Sequence, residues 1–252
     1  MIKFFRHIRQ SLIMENKTSR YFKYAVGEII LVVIGILIAL QINNWNNERI
    51  DRQREKKYLT NITKDLKKDL DRLDFLIKFR EDRLVGDHKL INHINGKPIE
   101  NLDSISKYIV NAMMEEKFSP NNTTFLELTN SGNLNLIKND SIKTLLLELE
   151  QLYKDNILSI EHETFDYREY ISKPSNNTIE VDKLIPIYLG KKTSHDQNIR
   201  LEDFDLLFSN KSYKNGLYIM TFLSNTYLDN YKRMYKKSNQ IIELSKHELK
   251  AL

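Results

Sequence analysis

The chain has 252 residues, 41% hydrophobic and 29% charged, with seven glycines, four prolines and no cysteine. That length holds one large domain or two small ones, and so few turn formers argue against a β-sandwich of many short strands. The formal net charge is +5, but Lys and Arg alternate with Asp and Glu along most of the chain, so no nucleic-acid-binding stripe forms. Without cysteine there are no disulfides, thiolate metal sites or cysteine nucleophile.

The N-terminal tail before the apolar run holds the main local excess of base. Lys3, Arg6, Arg9, Lys17, Arg20 and Lys23 face one acid, Glu15. Phe5, Ile8 and Leu12 recur at helical spacing with Phe4 and Ile13 beside them, the pattern of a short interfacial helix lying on an anionic leaflet. Lys3, Phe5, Arg6 and Arg9 are its expected membrane contacts.

From Ala25 to Ile42 the chain reads AVGEIILVVIGILIALQI, with one charge, Glu28. Eighteen helical residues reach roughly 27 Å, close to a bilayer's hydrocarbon thickness. Tyr24 before the run and Trp45 after it are expected interface anchors. A buried core helix would need apolar partners on all sides, and the rest of the chain is amphipathic. A cleaved signal peptide has a shorter apolar region and a small-x-small cleavage site, whereas this run ends in Ala39-Leu40-Gln41. The segment is therefore expected to remain as a signal anchor. The basic flank stays on the cytoplasmic side, which places the N-terminus inside and the C-terminal domain outside.

On a helix of 100° per residue, Glu28, Val32, Gly35, Ala39 and Asn46 share a stripe about 60° wide. Gly35 and Ala39 form a small-xxx-small pair that lets a second helix approach, and pairing there would shield Glu28. The plainer explanation is that glycine is common in membrane helices and Glu28 snorkels to the interface. An oligomeric channel lined by Glu28 and the Gly35/Ala39 face is the alternative functional reading.

Beyond Trp45 the pattern is helical. Ile62, Leu66, Leu70, Leu73, Ile77 and Leu84 mark one apolar face, and a helix from Asn43 to Gly86 would extend about 65 Å as a stalk. The stripe is too irregular to read as a coiled coil. Asp103 or Ser104 is positioned to cap a helix through Glu116. Thr123 or Thr124 opens a short helix that Gly132 ends in a left-handed cap. Asp140 opens a helix to about Tyr170, residues 172 to 200 look irregular, a short helix follows near 201–208, and a long one closes the chain from about Ser212 to Leu249. The whole reads as an all-α protein, a transmembrane helix continued by a stalk-like helix into a helical bundle. Its parts are an interfacial helix over 1–20, an anchor over 21–45 and a helical extracytoplasmic domain over 46–252.

No catalytic or cofactor motif appears. None of the six histidines has the spacing of a zinc-protease helix. His162 with Asp166, near Glu161, Glu163 and Glu169, is the strongest metal candidate, but such charges more often form a solvated helix face. Ser131-Gly132 lacks the strand and second glycine of a nucleophile elbow. An enzyme is not expected.

The run from Ile2-Lys3-Phe4-Phe5-Arg6 through Lys23-Tyr24-Ala25-Val26-Gly27-Glu28-Ile29 to Gln41-Ile42-Asn43-Asn44-Trp45-Asn46 resembles the N-terminus of an uncharacterised family of bacterial single-pass membrane proteins, common in Bacteroidetes. Phe125-Leu126-Glu127-Leu128 with Ser131-Gly132-Asn133-Leu134 is similar to a second block of that family. The resemblance implies a bitopic helical protein and brings no activity with it. The expected function is thus a non-enzymatic binding or interaction module of the bacterial envelope, in the inner membrane. Its expected partners are the lipid bilayer, a second copy of itself, and an envelope protein or ligand.

Overall fold

A computed structural model describes the backbone of residues 18–99 and 101–251, and within them the side chains from Phe22 onward apart from Tyr24. The described residues form helices joined by turns and loops, with no strand among them. Helix α1 runs unbroken from Thr18 to Ile94; it contains no proline to remove a hydrogen bond. Chain contacts define two units, one ending at Glu55 and one spanning Lys56–Leu252. In the first, Arg52 pairs with Glu55 at 2.7 Å and Arg49 donates to the Asn46 side chain at 3.3 Å, local contacts one helical turn apart.

The second unit is built on three long helices: α1 from Lys56 onward, α4 (Asp140–Asp166) and α8 (Lys211–Ala251). Asp69 meets Tyr153 and Arg80 meets Glu163, so α1 and α4 run parallel. Lys232 pairs with Glu81, and Lys237 with Glu148, so α8 runs antiparallel to both. Buried positions on α1 step by three and four: Leu59, Ile62, Leu66, Asp69, Leu73, Leu76, Arg80, Arg83, Asp87, Leu90. On α8 they step likewise through Tyr213, Leu217, Met220, Ser224, Tyr227, Tyr231 and Met234. That alternation is the heptad spacing by which packed helices keep one seam facing inward.

The sequence places a break at Gly86, but α1 continues through it to Ile94. Gly86 instead serves close packing, since a Cβ there would lie 3.0 Å from a ring carbon of Tyr108. Tyr108 belongs to α2 (Leu102–Ala112), which Asn101 caps by accepting the N–H groups of Asp103 and Ser104 at 2.8 and 3.2 Å. The cap thus precedes the residues the sequence favours for it. The helix also stops at Ala112 rather than Glu116, because α1 side chains take over the backbone groups of the strap that follows. Arg83 donates to the carbonyls of Ala112 (2.9 Å) and Met114 (3.3 Å), Arg72 to that of Lys117 (2.8 Å), and Asp69 accepts the Asn121 N–H (2.9 Å). Buried backbone groups need such partners when no helix supplies them.

Helix α3 (Thr123–Asn130) ends as the sequence suggests, with Gly132 left-handed at φ 70°. Asn139, not Asp140, caps α4 by accepting the Ile142 N–H at 3.2 Å. Beyond Asp166 the helix widens into a π turn, Tyr167–Ser172, then resumes as α5 (Lys173–Thr178) and α6 (Val181–Tyr188). The stretch read as irregular is therefore largely helical up to Tyr188. A 3-10 turn at Leu201–Phe204 and α7 (Asp205–Phe208) precede α8.

Two apolar cores fill this unit, with Leu223 of α8 packed against both. The first joins Leu59–Leu76 of α1 to Ile142–Tyr153 of α4 and Tyr227–Ile242 of α8. The second joins Leu90 and Ile91 of α1 to α2, Ile171, α6, Leu207 and Tyr213–Met220 of α8. Each buried aliphatic side chain contributes about 1.5–3 kcal/mol.

Candidate functional site

The first candidate is the apolar segment. From Ala25, α1 holds an 18-residue window of mean hydropathy 2.6 in which no residue is buried. Ile29, Leu31, Val32, Ile34, Ile36 and Leu37, spaced around the whole helix, are all exposed. A helix apolar on every side belongs in a lipid or protein interior. Because α1 is unbroken here, Glu28, Gly35 and Ala39 do share a face. A Cβ on Gly35 would meet nothing within 4 Å, Ala39 is exposed, and Glu28 is half-buried. Trp45 is exposed. Lys3, Phe5, Arg6 and Arg9 lie outside the described residues, as does the side chain of Tyr24.

The second is a charged layer between the two cores, which sequence reasoning missed. Arg80 and Glu163 are both buried and form a two-pronged pair, Nη1 to Oε1 and Nη2 to Oε2, the latter at 2.8 Å. The Arg80 Nη1 also reaches Ser224 Oγ at 3.3 Å, and its guanidinium lies 4.7 Å over the Tyr227 ring. Burial disfavours its charge, but the hydrogen bonds and charge of Glu163 outweigh that and raise its pKa. One turn on, Arg83 Nε lies 3.8 Å from Asp87 Oδ2, an ion pair without a hydrogen bond. Burial lowers the Arg83 pKa, with Asp87 opposing. Burial also pushes the Asp87 carboxyl up to about 6, against the pull of Arg83 and Arg80. Burial, then the Asp87 charge, raises the pKa of Tyr213.

Four atoms of this layer, Arg80 Nε, Arg83 Nε, Asp87 Oδ2 and the Tyr213 hydroxyl, are buried with no hydrogen-bond partner among the described residues. A separate site lies within the first core, where Asp69 accepts from both nitrogens of Asn121 and from the Tyr153 hydroxyl at 2.8 Å. Burial nonetheless raises the Asp69 pKa.

The structure separates the residues of the metal candidate. His162 and Glu161 face solvent, whereas Glu163 turns inward to Arg80. No group of three metal-ligating side chains converges among the described residues. A groove of about 320 Å³ lies between Lys89, Asn92 and His93 of α1 and Ser104 and Tyr108 of α2, away from the charged layer.

These features define an all-α protein whose first helix contains one segment long and apolar enough to cross a membrane. The chain belongs to a family of unknown function (DUF6090), whose family model matches residues 28–180. No curated protein matches the chain, and no solved structure does. The matched region includes Glu28, Gly35, Ala39, the Arg80–Glu163 pair and Asp87, and ends before α8.

Proposed function

We propose that the protein is a bitopic, non-enzymatic inner-membrane protein of bacteria, with its N-terminus in the cytoplasm and its helical domain outside. In this reading it is an interaction module that self-associates through its membrane helix. The observation that carries it is the Ala25–Ile42 run, apolar on every side and without a buried residue. Leaving so much apolar surface in water costs about 25 cal/mol per Å², and a bilayer removes that cost. The basic residues before the run support the orientation, and Gly35 with Ala39, open on the helix surface, supports the pairing face.

Three measurements test this. The chain should stay with membranes through alkaline carbonate, and a reporter after Leu252 should work only when exported; release by carbonate, or activity only in the cytoplasm, overturns the reading. Cross-linking in membranes should yield a dimer or higher oligomer that the Gly35→Leu, Ala39→Leu double variant loses. An unchanged oligomer would rule out this face.

A further inference from the structure

The charged layer separates two apolar cores that differ in composition. The first is carried by three long helices, with Phe118 of the strap, Phe125 and Leu128 of α3 and Ile137 packed among them. The second closes by adding α2, Ile171 of the π turn, α6, Phe204 and Leu207 to the ends of α1 and α8. The covering helices are held at the layer by few polar contacts. Arg83 grips the carbonyl of Ala112, the last residue of α2, and that of Met114 just beyond it, and the Tyr167 hydroxyl of the π turn donates to the Met113 carbonyl. At the same level the chain after α4 leaves α-helical geometry, a change often found where function needs local deformation.

The layer itself is under-satisfied. Arg83 uses both terminal nitrogens on carbonyls, so its Nε and the Asp87 Oδ2 face each other without a hydrogen bond. Buried ionic groups that are incompletely bonded regain hydration when a structure opens, which lowers the cost of opening there. The groups facing Asp87 are Arg83 and Arg80 on its own helix and Tyr213 on α8; Glu163 of α4 and Tyr167 of the π turn act on it through the arginines.

We propose that the second core is an independently opening unit latched by Arg83 at the end of α2, and that the buried Asp87 carboxyl, which faces Arg83 without a hydrogen bond, makes its closure sensitive to acid. Opening frees α2 with α6 from α1 and α8 while the first core stays packed. Exposed to water, Asp87 returns to an ordinary carboxyl that is ionised at pH 5; closed, with a pKa of about 6, it holds a proton there. Acidification therefore favours the closed form.

Native-state hydrogen exchange on the full chain in detergent micelles tests this at pH 7.5 and 5.0, with intrinsic exchange rates corrected. Amides of α2 and α6 should open together, below the free energy of amides in 66–73 and 234–242. Their opening should be about tenfold rarer at pH 5.0, from the shift of Asp87. In Asp87→Asn the two pH values should agree. A single opening shared by both cores overturns the proposal, and so does a pH effect that persists in Asp87→Asn. If that variant does not fold, equal opening at both pH values in the unmodified chain overturns it.

Discussion

Truncating Glu163 to Ala would leave the Arg80 guanidinium buried and stripped of its counter-charge. Breaking a buried pair from one side costs about 3–5 kcal/mol, while replacing both partners with apolar residues of similar volume is often neutral or stabilising. Chemical denaturation should therefore show Glu163→Ala strongly destabilised and the Arg80→Met, Glu163→Leu pair near the unmodified chain. Equal losses in both would mean that the pair contributes net stability. Asp87 has a pH signature of its own. Its folded pKa, about 6, lies above the ordinary value of 3.8, so the folded state binds its proton more tightly than the unfolded chain. Its contribution is most favourable below the unfolded pKa and is lost as pH rises through about 6. Denaturation midpoints should fall between pH 4 and 6.5 because of this group, and Asp87→Asn should flatten that slope. Asp69 is shifted the same way, so it contributes a slope of the same sign that the variant keeps.

At the scale of helices, the π turn and α8 are matched by a single residue. A Cβ on Gly216 would fall 2.6 Å from the Tyr170 Cβ and 2.8 Å from the Tyr170 carbonyl oxygen. The obstacle includes backbone, which cannot rotate away. Gly216→Ala should therefore cost about 1–3 kcal/mol by overpacking, read as a lowered melting temperature. Gly35→Ala, facing open space, should leave the melting of the helical domain unchanged. The helices themselves are largely legible in the sequence, and of the apolar stripe expected on α1, Ile62, Leu66 and Leu73 are buried while Leu70, Ile77 and Leu84 are half-buried. What escapes is the α1 seam. Its apolar stripe looks irregular because Asp69, Arg80, Arg83 and Asp87 hold inward positions in the three-four alternation. A search for apolar residues skips them, whereas a search for the spacing alone finds them. The α2 terminus escapes for a different reason: side chains of α1, more than twenty residues upstream, satisfy the strap that replaces its last turn.

For the whole molecule, α8 lies outside the region matched to the family yet supplies Tyr227, Tyr231, Met234, Ile241 and Ile242 to the first core and Tyr213 to Met220 to the second. A chain ending at Phe208 should lose its cooperative thermal transition and become rapidly digested by protease, with circular dichroism reporting the loss; a sharp transition at the original temperature would show that the remaining helices are self-sufficient. The sequence by itself determined the apolar segment, its single charge at Glu28 and the helical periodicity behind it, because these depend on residue type and local spacing. Only the tertiary structure decided which charges lie inside. Whether Glu163 meets solvent or Arg80 depends on the parallel register of α1 and α4, which is fixed by contacts between residues about eighty positions apart. The division into two cores has the same origin, since Arg80, Arg83 and Asp87 form a layer only when α4, the π turn and α8 close around them.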